Sequence, residues 1–126
     1  MLTMVNNELI IHETPLEKIN IDENSIEIML DDQFLQRRRL FFKPFQAIRI
    51  TTEDCCDRSL LYQMVDLGMR ECYKRFIFEE TESPWIAQLQ ESLVCPEDNF
   101  LLKSKHFILH VGDNLIEIVA WSIKID

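Results

Sequence analysis

The chain has 126 residues, which is enough for one domain and too little for two of ordinary size, so we expect a single domain over residues 1–126. Apolar residues make up 47% and charged residues 28% of the chain, a balance typical of a soluble globular protein. With 13 Lys and Arg against 22 Asp and Glu, the net charge of −9 disfavours nucleic acid and anionic membranes as partners and favours a basic protein. Only two glycines occur, which excludes glycine-rich phosphate loops.

The first part of the chain predicts two hairpins. Leu2–Val5 and Glu8–His12 are short β-like runs on either side of Asn6-Asn7, a dipeptide that tolerates a tight turn. Farther along, Ile19 and Ile21 precede the polar turn Asp22–Asn24, and Ile26, Ile28 and Leu30 follow it at every second position. That alternation is typical of a strand with one buried face.

A loop and a long strand are predicted next. Asp31–Arg39 is polar, and we interpret its basic run Arg37-Arg38-Arg39 as a solvated loop. The aromatic and β-branched run Leu40–Thr51 predicts one strand. Because Pro44 cannot donate to a ladder, this strand is expected at a sheet edge or at a bulge.

The period of the apolar residues then changes to that of a helix. Thr52 can cap a helix over Glu53–Leu67, and Gly68 stands where a left-handed C-terminal cap is expected. Met69–Glu79 fits either a continued helix or a strand, and its aromatic residues after a glycine favour a strand.

The last elements are a second helix and a hairpin. Ser83-Pro84 is a typical helix start, and Pro96 is expected to end that helix. Lys105–Val111 and Leu115–Ile125 alternate around a Gly-Asp-Asn turn, a strong hairpin signal. The fold predicted is α+β: a mostly antiparallel sheet of five to seven strands with two helices packed on one face, in the order strands, helix, strand, helix, hairpin.

The four cysteines, Cys55, Cys56, Cys72 and Cys95, form no metal-binding spacing. No signal peptide or membrane-spanning run is recognised, so we expect reduced thiols in a cytoplasmic protein, with no metal and no cofactor.

Two histidines and one acid attract attention on the last hairpin. His106 and His110 lie four residues apart, about 13 Å along a strand, too far apart to ligate one metal, and are expected to be half-exposed. Glu117 lies between two isoleucines. If its face is covered, it needs a partner such as Arg49 or a shifted pKa.

The leading functional hypothesis is a small non-catalytic protein-binding module, immunity- or inhibitor-like or a subunit of a complex. Its expected surface for a basic partner consists of Asp54, Asp57, Glu79, Glu80 and Glu82. A homodimer could form by sheet extension near Pro44 or at the terminal strand.

Two alternatives stay open. A thiol-dependent hydrolase or transferase would use Cys55 or Cys56 with His106 or His110 as base. A small-molecule-binding domain would instead form a pocket lined by Phe42, Phe76, Phe78 and Trp85.

Overall fold

The computed structural model describes residues 1–68, 73–95, 99 and 101–126. Within them the chain forms nine strands, one short 3-10 helix and two α-helices. In chain order these are β1 (Leu2–Met4), β2 (Lys18–Ile21), β3 (Ile26–Asp31), β4 (Arg37–Phe42), β5 (Phe45–Thr52), the 3-10 helix (Glu53–Cys55), α1 (Arg58–Leu67), β6 (Ile77–Glu80), α2 (Pro84–Glu91), β7 (Lys105–Val111), β8 (Asn114–Ala120) and β9 (Ile123–Ile125).

The strands form two antiparallel sheets, which confirms the α+β class with two helices but corrects the single predicted sheet. One sheet has five strands in the order β1-β6-β7-β8-β5, and the other has four in the order β2-β3-β4-β9. Their inner faces pack together around a core that includes Ile28, Phe42, Phe107 and Ile118. The helices cover the outer face of the five-stranded sheet, where Met64 of α1 packs on Phe78, Ile108 and Leu115.

The predicted strand Leu40–Thr51 is two strands in different sheets. β4 ends at Phe42 and pairs with β3 and β9, whereas β5 begins at Phe45 and pairs with β8. Pro44 lies between them, where its missing N–H interrupts no ladder, and a register shift between Phe45 and Ala47 marks the start of β5.

The basic run Arg37-Arg38-Arg39 begins the strand β4 and is therefore not a loop, although Arg37 and Arg39 are exposed to solvent as expected. Arg37 pairs with Asp31 across the ladder, Arg38 with Asp32, and Arg39 with Glu27. Burial alone would raise the pKa of Asp32, but hydrogen bonds from the backbone N–H groups of residues 36 and 34 and from Arg38 lower it. These ion pairs explain how three consecutive arginines fit a strand in an acidic protein.

At the N-terminus the predicted first hairpin is wrong, whereas the second is confirmed. β1 pairs with β6, a long-range partner, and the predicted second arm contributes only isolated bridges from Ile11 to Asp32 and Arg75. β2 and β3 form the expected hairpin, with Ile19 opposite Ile28.

The first predicted helix is shorter than expected and has a different cap. Residues Glu53–Cys55 form a 3-10 turn without a side-chain cap from Thr52, and α1 begins after Asp57, whose carboxylate accepts the Ser59 N–H at 2.9 Å. Gly68 has φ −87°, so it is not a left-handed cap. A Cβ there would lie 2.3 Å from the Lys74 carbonyl oxygen, which explains the glycine by close approach of backbone.

The remaining elements follow the predictions closely. Ser83 caps α2 and Pro84 is its first residue, although the helix ends at Glu91 and Pro96 lies outside the described residues. The β7–β8 hairpin is confirmed, but the second arm stops at Ala120 and β9 joins the other sheet.

The predicted strand at Met69–Glu79 corresponds to β6 over Ile77–Glu80, and residues 69–72, including Cys72, lie outside the described residues. Neither described α-helix has the length and apolar run needed to cross a bilayer.

Candidate functional site

A cleft of about 510 Å³ lies on the outer face of the five-stranded sheet, between α1 and α2. Its floor is formed by side chains of β7 and β8, among them Ile108 and Leu115. α1 contributes Leu60 and Gln63, and α2 contributes Trp85. Alternate residues of β5, β7 and β8 reach this face: Ile108 and Leu115 pack with Met64 of α1, and His106 and Arg49 lie against Trp85 of α2.

A chain of hydrogen bonds joins the start of α2 to the edge strand β5. The Ser83 hydroxyl lies 2.7 Å from Nδ1 of His106, and Nε2 of His106 lies 2.8 Å from Glu117 Oε1. Arg49 binds Glu117 with both arms of its fork, Nε at 2.7 Å and the second terminal nitrogen at 3.0 Å. Contrary to expectation, His106 is buried, with 4% exposure.

The ionisation of Glu117 fixes the direction of these hydrogen bonds. Burial alone would raise its pKa, but the hydrogen bonds from His106 and Arg49 and the positive charge of Arg49 lower the pKa to about 2. A carboxylate only accepts, so Nε2 of His106 carries a proton. When the imidazole is neutral, Nδ1 therefore accepts from the Ser83 hydroxyl, whose oxygen accepts the Ile86 N–H at 3.2 Å.

Trp85 of α2 contacts two members of this hydrogen-bonded network, Arg49 and His106. The Arg49 guanidinium lies 4.1 Å from the centroid of the Trp85 ring, and the Trp85 ring meets the His106 ring edge-on at 5.2 Å. The Arg49 side chain is still 46% exposed. Arg49 is therefore held between an aromatic face and a carboxylate, while part of it remains open to the cleft.

His110 has the same two kinds of partner as His106. Its Nδ1 lies 3.0 Å from the Tyr73 hydroxyl, and its Nε2 bonds to the Glu53 carboxylate of the 3-10 helix. Burial raises the pKa of Tyr73 to about 12, so the phenol keeps its proton and can donate to Nδ1 when Nε2 carries the imidazole proton. Burial and the nearby Arg75 charge lower the pKa of His110, although Glu53 opposes this. His110 is also buried, not half-exposed.

Of the described cysteines, Cys55 and Cys56 line the same cleft as His106, but neither is hydrogen-bonded to a histidine. The Cys56 thiol donates to the Glu53 carbonyl oxygen at 3.2 Å and packs under α1, whereas Cys55 is exposed. Among the residues that the structure describes, no hydrogen bond links a thiol to an imidazole. The Cys–His arrangement of a thiol enzyme is thus not formed by these residues.

Four of the five predicted acids line two neighbouring clefts, and the fifth, Asp54, lines neither. Asp57 and Glu80 line the cleft between the helices. Glu79, Glu80 and Glu82 line a second cleft of about 730 Å³ beside α2, and Asp54 is exposed on the 3-10 helix. Glu80 also accepts a hydrogen bond from the amino group of Met1 at 2.6 Å.

The four aromatic residues of the predicted small-molecule pocket do not line one cavity. Phe42 is buried between the two sheets, whereas Phe76 and Phe78 pack on the opposite face of the five-stranded sheet. Of these four aromatic residues, only Trp85 lines the cleft between the helices.

Sequence reasoning found Glu117 and its partner Arg49 but missed the roles of Ser83, Trp85 and Tyr73. The hairpin turn offered one signal: with two residues in the turn, His106 and Glu117 share a face on adjacent strands. Nothing in the local sequence indicates which helix residues cover them.

Comparison with protein-family models, with curated proteins and with solved structures finds no match to the chain. Within the described part of the chain, no group of three or more His, Cys, Asp and Glu side chains could hold a metal ion.

Proposed function

We propose that this protein is a non-catalytic protein-binding module, immunity- or inhibitor-like or a subunit of a complex, and that it binds a basic partner. The observation that carries the proposal is the cleft between α1 and α2, which combines the carboxylates of Asp57 and Glu80 with the apolar surface of Leu60 and Trp85. Such a surface suits a segment with both basic and apolar side chains. The net charge of −9 would steer such a partner toward it.

The polar groups at the base of the cleft support binding more than catalysis. His106 is occupied on one side by Ser83 and on the other by Glu117, and Glu117 in turn is occupied by Arg49. In the described residues, every buried side-chain nitrogen and oxygen has a hydrogen-bond partner. A satisfied network of this kind holds α2 on the sheet and keeps the cleft in one shape.

We also assign the protein to the cytoplasm. The free thiols of Cys55 and Cys95, both exposed, suit a reducing compartment.

The test is binding of a short fluorescent peptide of alternating lysine and valine, followed by anisotropy, with an alternating glutamate and valine peptide for comparison. We expect binding of the basic peptide only, and weakening of it between about 50 mM and about 500 mM salt. Absence of binding at low salt contradicts the proposal.

Matched variants separate a site from general charge attraction. Asp57→Asn and Glu80→Gln together remove two negative charges from the cleft lining and reduce the net charge from −9 to −7. Asparagine still caps α1 at residue 57. The control makes the same change in charge at Glu8 and Glu13, which are exposed and lie outside the cleft lining. The first variant should bind more weakly than the control, and equal binding would mean that no site is formed there.

A second candidate, a serine hydrolase, is favoured by the order hydroxyl, imidazole and carboxylate in Ser83, His106 and Glu117. Ser83 lines the second cleft, but against a hydrolase it is only 8% exposed and its hydroxyl oxygen already accepts the Ile86 N–H. A fluorophosphonate probe distinguishes the two functions. Labelling that is lost in Ser83→Asn, which retains the helix cap, would establish the hydrolase, and no labelling at Ser83 leaves the binding module.

A further inference from the structure

The strand β5 is a long open edge of the five-stranded sheet. It is the last strand in the order β1-β6-β7-β8-β5 and has eight residues. The outermost strands β1, β2 and β9 have only three or four residues each. Short edges are a common protection against unwanted strand pairing, and β5 lacks this protection.

The ladder between β5 and β8 shows which backbone groups of β5 are unpaired. Thr52 lies opposite Asn114, and one residue farther the Glu53 N–H donates to the Asp113 carbonyl at 2.9 Å. Directly opposite residues that exchange hydrogen bonds alternate with residues that do not. Arg49 and Thr51 therefore bond to β8, whereas the N–H and C=O groups of alternate residues point to the free edge. These residues are Ile48, Ile50 and Thr52.

This edge has few features that would prevent another strand from pairing with it. Ile50 is 53% exposed, and Pro44 precedes the strand, so it blocks none of the outward groups. The positive charge of Arg49 on this strand is neutralised by Glu117.

Resting on the proposed function, we infer that β5 binds an extended basic segment of the partner as a sixth strand. Main-chain hydrogen bonds to Ile48, Ile50 and Thr52 would provide the pairing, and alternate side chains of the segment would provide the specificity. The side chains of the segment that lie beside Arg49 and Thr51 would face the cleft, which Arg49 and Thr51 both line. The acids that follow β5 directly, among them the exposed Asp54 and Asp57, give the complementary charge.

The test uses the alternating lysine and valine peptide with two substitutions at one position. Ile50→Pro removes an outward N–H and should leave the β8 ladder intact, whereas Ile50→Val keeps the edge. We expect wild type and Ile50→Val to bind equally and Ile50→Pro to bind at least about tenfold more weakly. Far-UV circular dichroism checks that Ile50→Pro is folded. If it is not, Thr52→Pro replaces it, because the Thr52 N–H also points outward.

The other outcomes separate this inference from the proposed function. If Ile50→Pro binds the peptide as well as wild type does, strand addition is refuted and the acidic binding module stands. If no variant binds the peptide, both are refuted. If light scattering finds a wild-type dimer that Ile50→Pro converts to a monomer, a second copy of this chain occupies the edge, and the inference is also refuted.

Discussion

The substitution Glu117→Gln tests whether the buried carboxylate is a main stabiliser of the sheet's outer face. In the folded protein the pKa of Glu117 is about 2 instead of the ordinary 4.5, a difference that corresponds to about 3 kcal/mol of stability at neutral pH. The Arg49 side chain is 46% exposed, so water screens part of this interaction. We therefore expect Glu117→Gln to lower the free energy of unfolding by about 2 kcal/mol at pH 7.

The pH dependence of the free energy of unfolding provides a second test of the role of Glu117. Because the pKa of Glu117 is lower in the folded protein, its contribution is fully present above pH 4.5 and is lost as the pH falls from 4.5 to about 2. Urea unfolding followed by circular dichroism at pH 7 and at a series of lower pH values measures both effects. The loss of stability below pH 4.5 should be smaller in Glu117→Gln than in wild type.

Glu27→Gln is the matched control, since Glu27 also pairs with an arginine across adjacent strands, at 3.1 Å from Arg39. That pair is on the surface, where removing one partner changes the free energy of unfolding by about 1 kcal/mol or less. If Glu117→Gln costs no more than Glu27→Gln, our reasoning about the buried pair is refuted.

Three further predictions concern unfolding. Because the pKa of His110 is lowered in the folded protein, the unfolded chain takes up the proton first, and stability should fall as the pH drops through 6.5. Equal urea midpoints at pH 7.5 and 5.5 would contradict this. Ser83→Ala should cost about 2 kcal/mol in urea unfolding, from the lost cap and an unpaired imidazole nitrogen, whereas Ser83→Asn should cost less. Gly68→Ala should lower the melting temperature more than Gly112→Ala, because its Cβ meets the Lys74 carbonyl at 2.3 Å, whereas at Gly112 only the φ of +58° opposes alanine.

The local sequence predicts those elements whose signals lie close together in the chain. Ser83-Pro84 marks the start of α2, and the turn at Gly112 predicts the β7–β8 hairpin. The first predicted hairpin failed because its partner is distant: β1 pairs with β6, and no turn at Asn6-Asn7 can indicate that. Long-range pairing depends on which apolar faces meet, and alternation alone does not specify the partner.

The division into two sheets depends on one such long-range choice. Aromatic and β-branched residues occur throughout Leu40–Thr51, so this composition predicts one strand. What separates β4 from β5 is that β4 pairs with its neighbour β3 and with the distant β9, whereas β5 pairs with β8. Pro44 was a correct sign of an interruption, but the sequence does not indicate that the chain changes sheets there.

The candidate site was also only partly predictable from the sequence. Glu117 attracts attention because an acid between Ile116 and Ile118 on a covered face needs a cation, and Arg49 lies directly opposite it in the ladder. The partner of His106 could not be predicted in this way. Its Nδ1 is hydrogen-bonded to Ser83, whose presence in the sequence is already explained by its role as the N-cap of α2. Ser83 both caps α2 and hydrogen-bonds to His106, and the sequence indicates only the first of these roles. For that reason the binding of α2 to the sheet, and with it the shape of the cleft, became evident only from the structure.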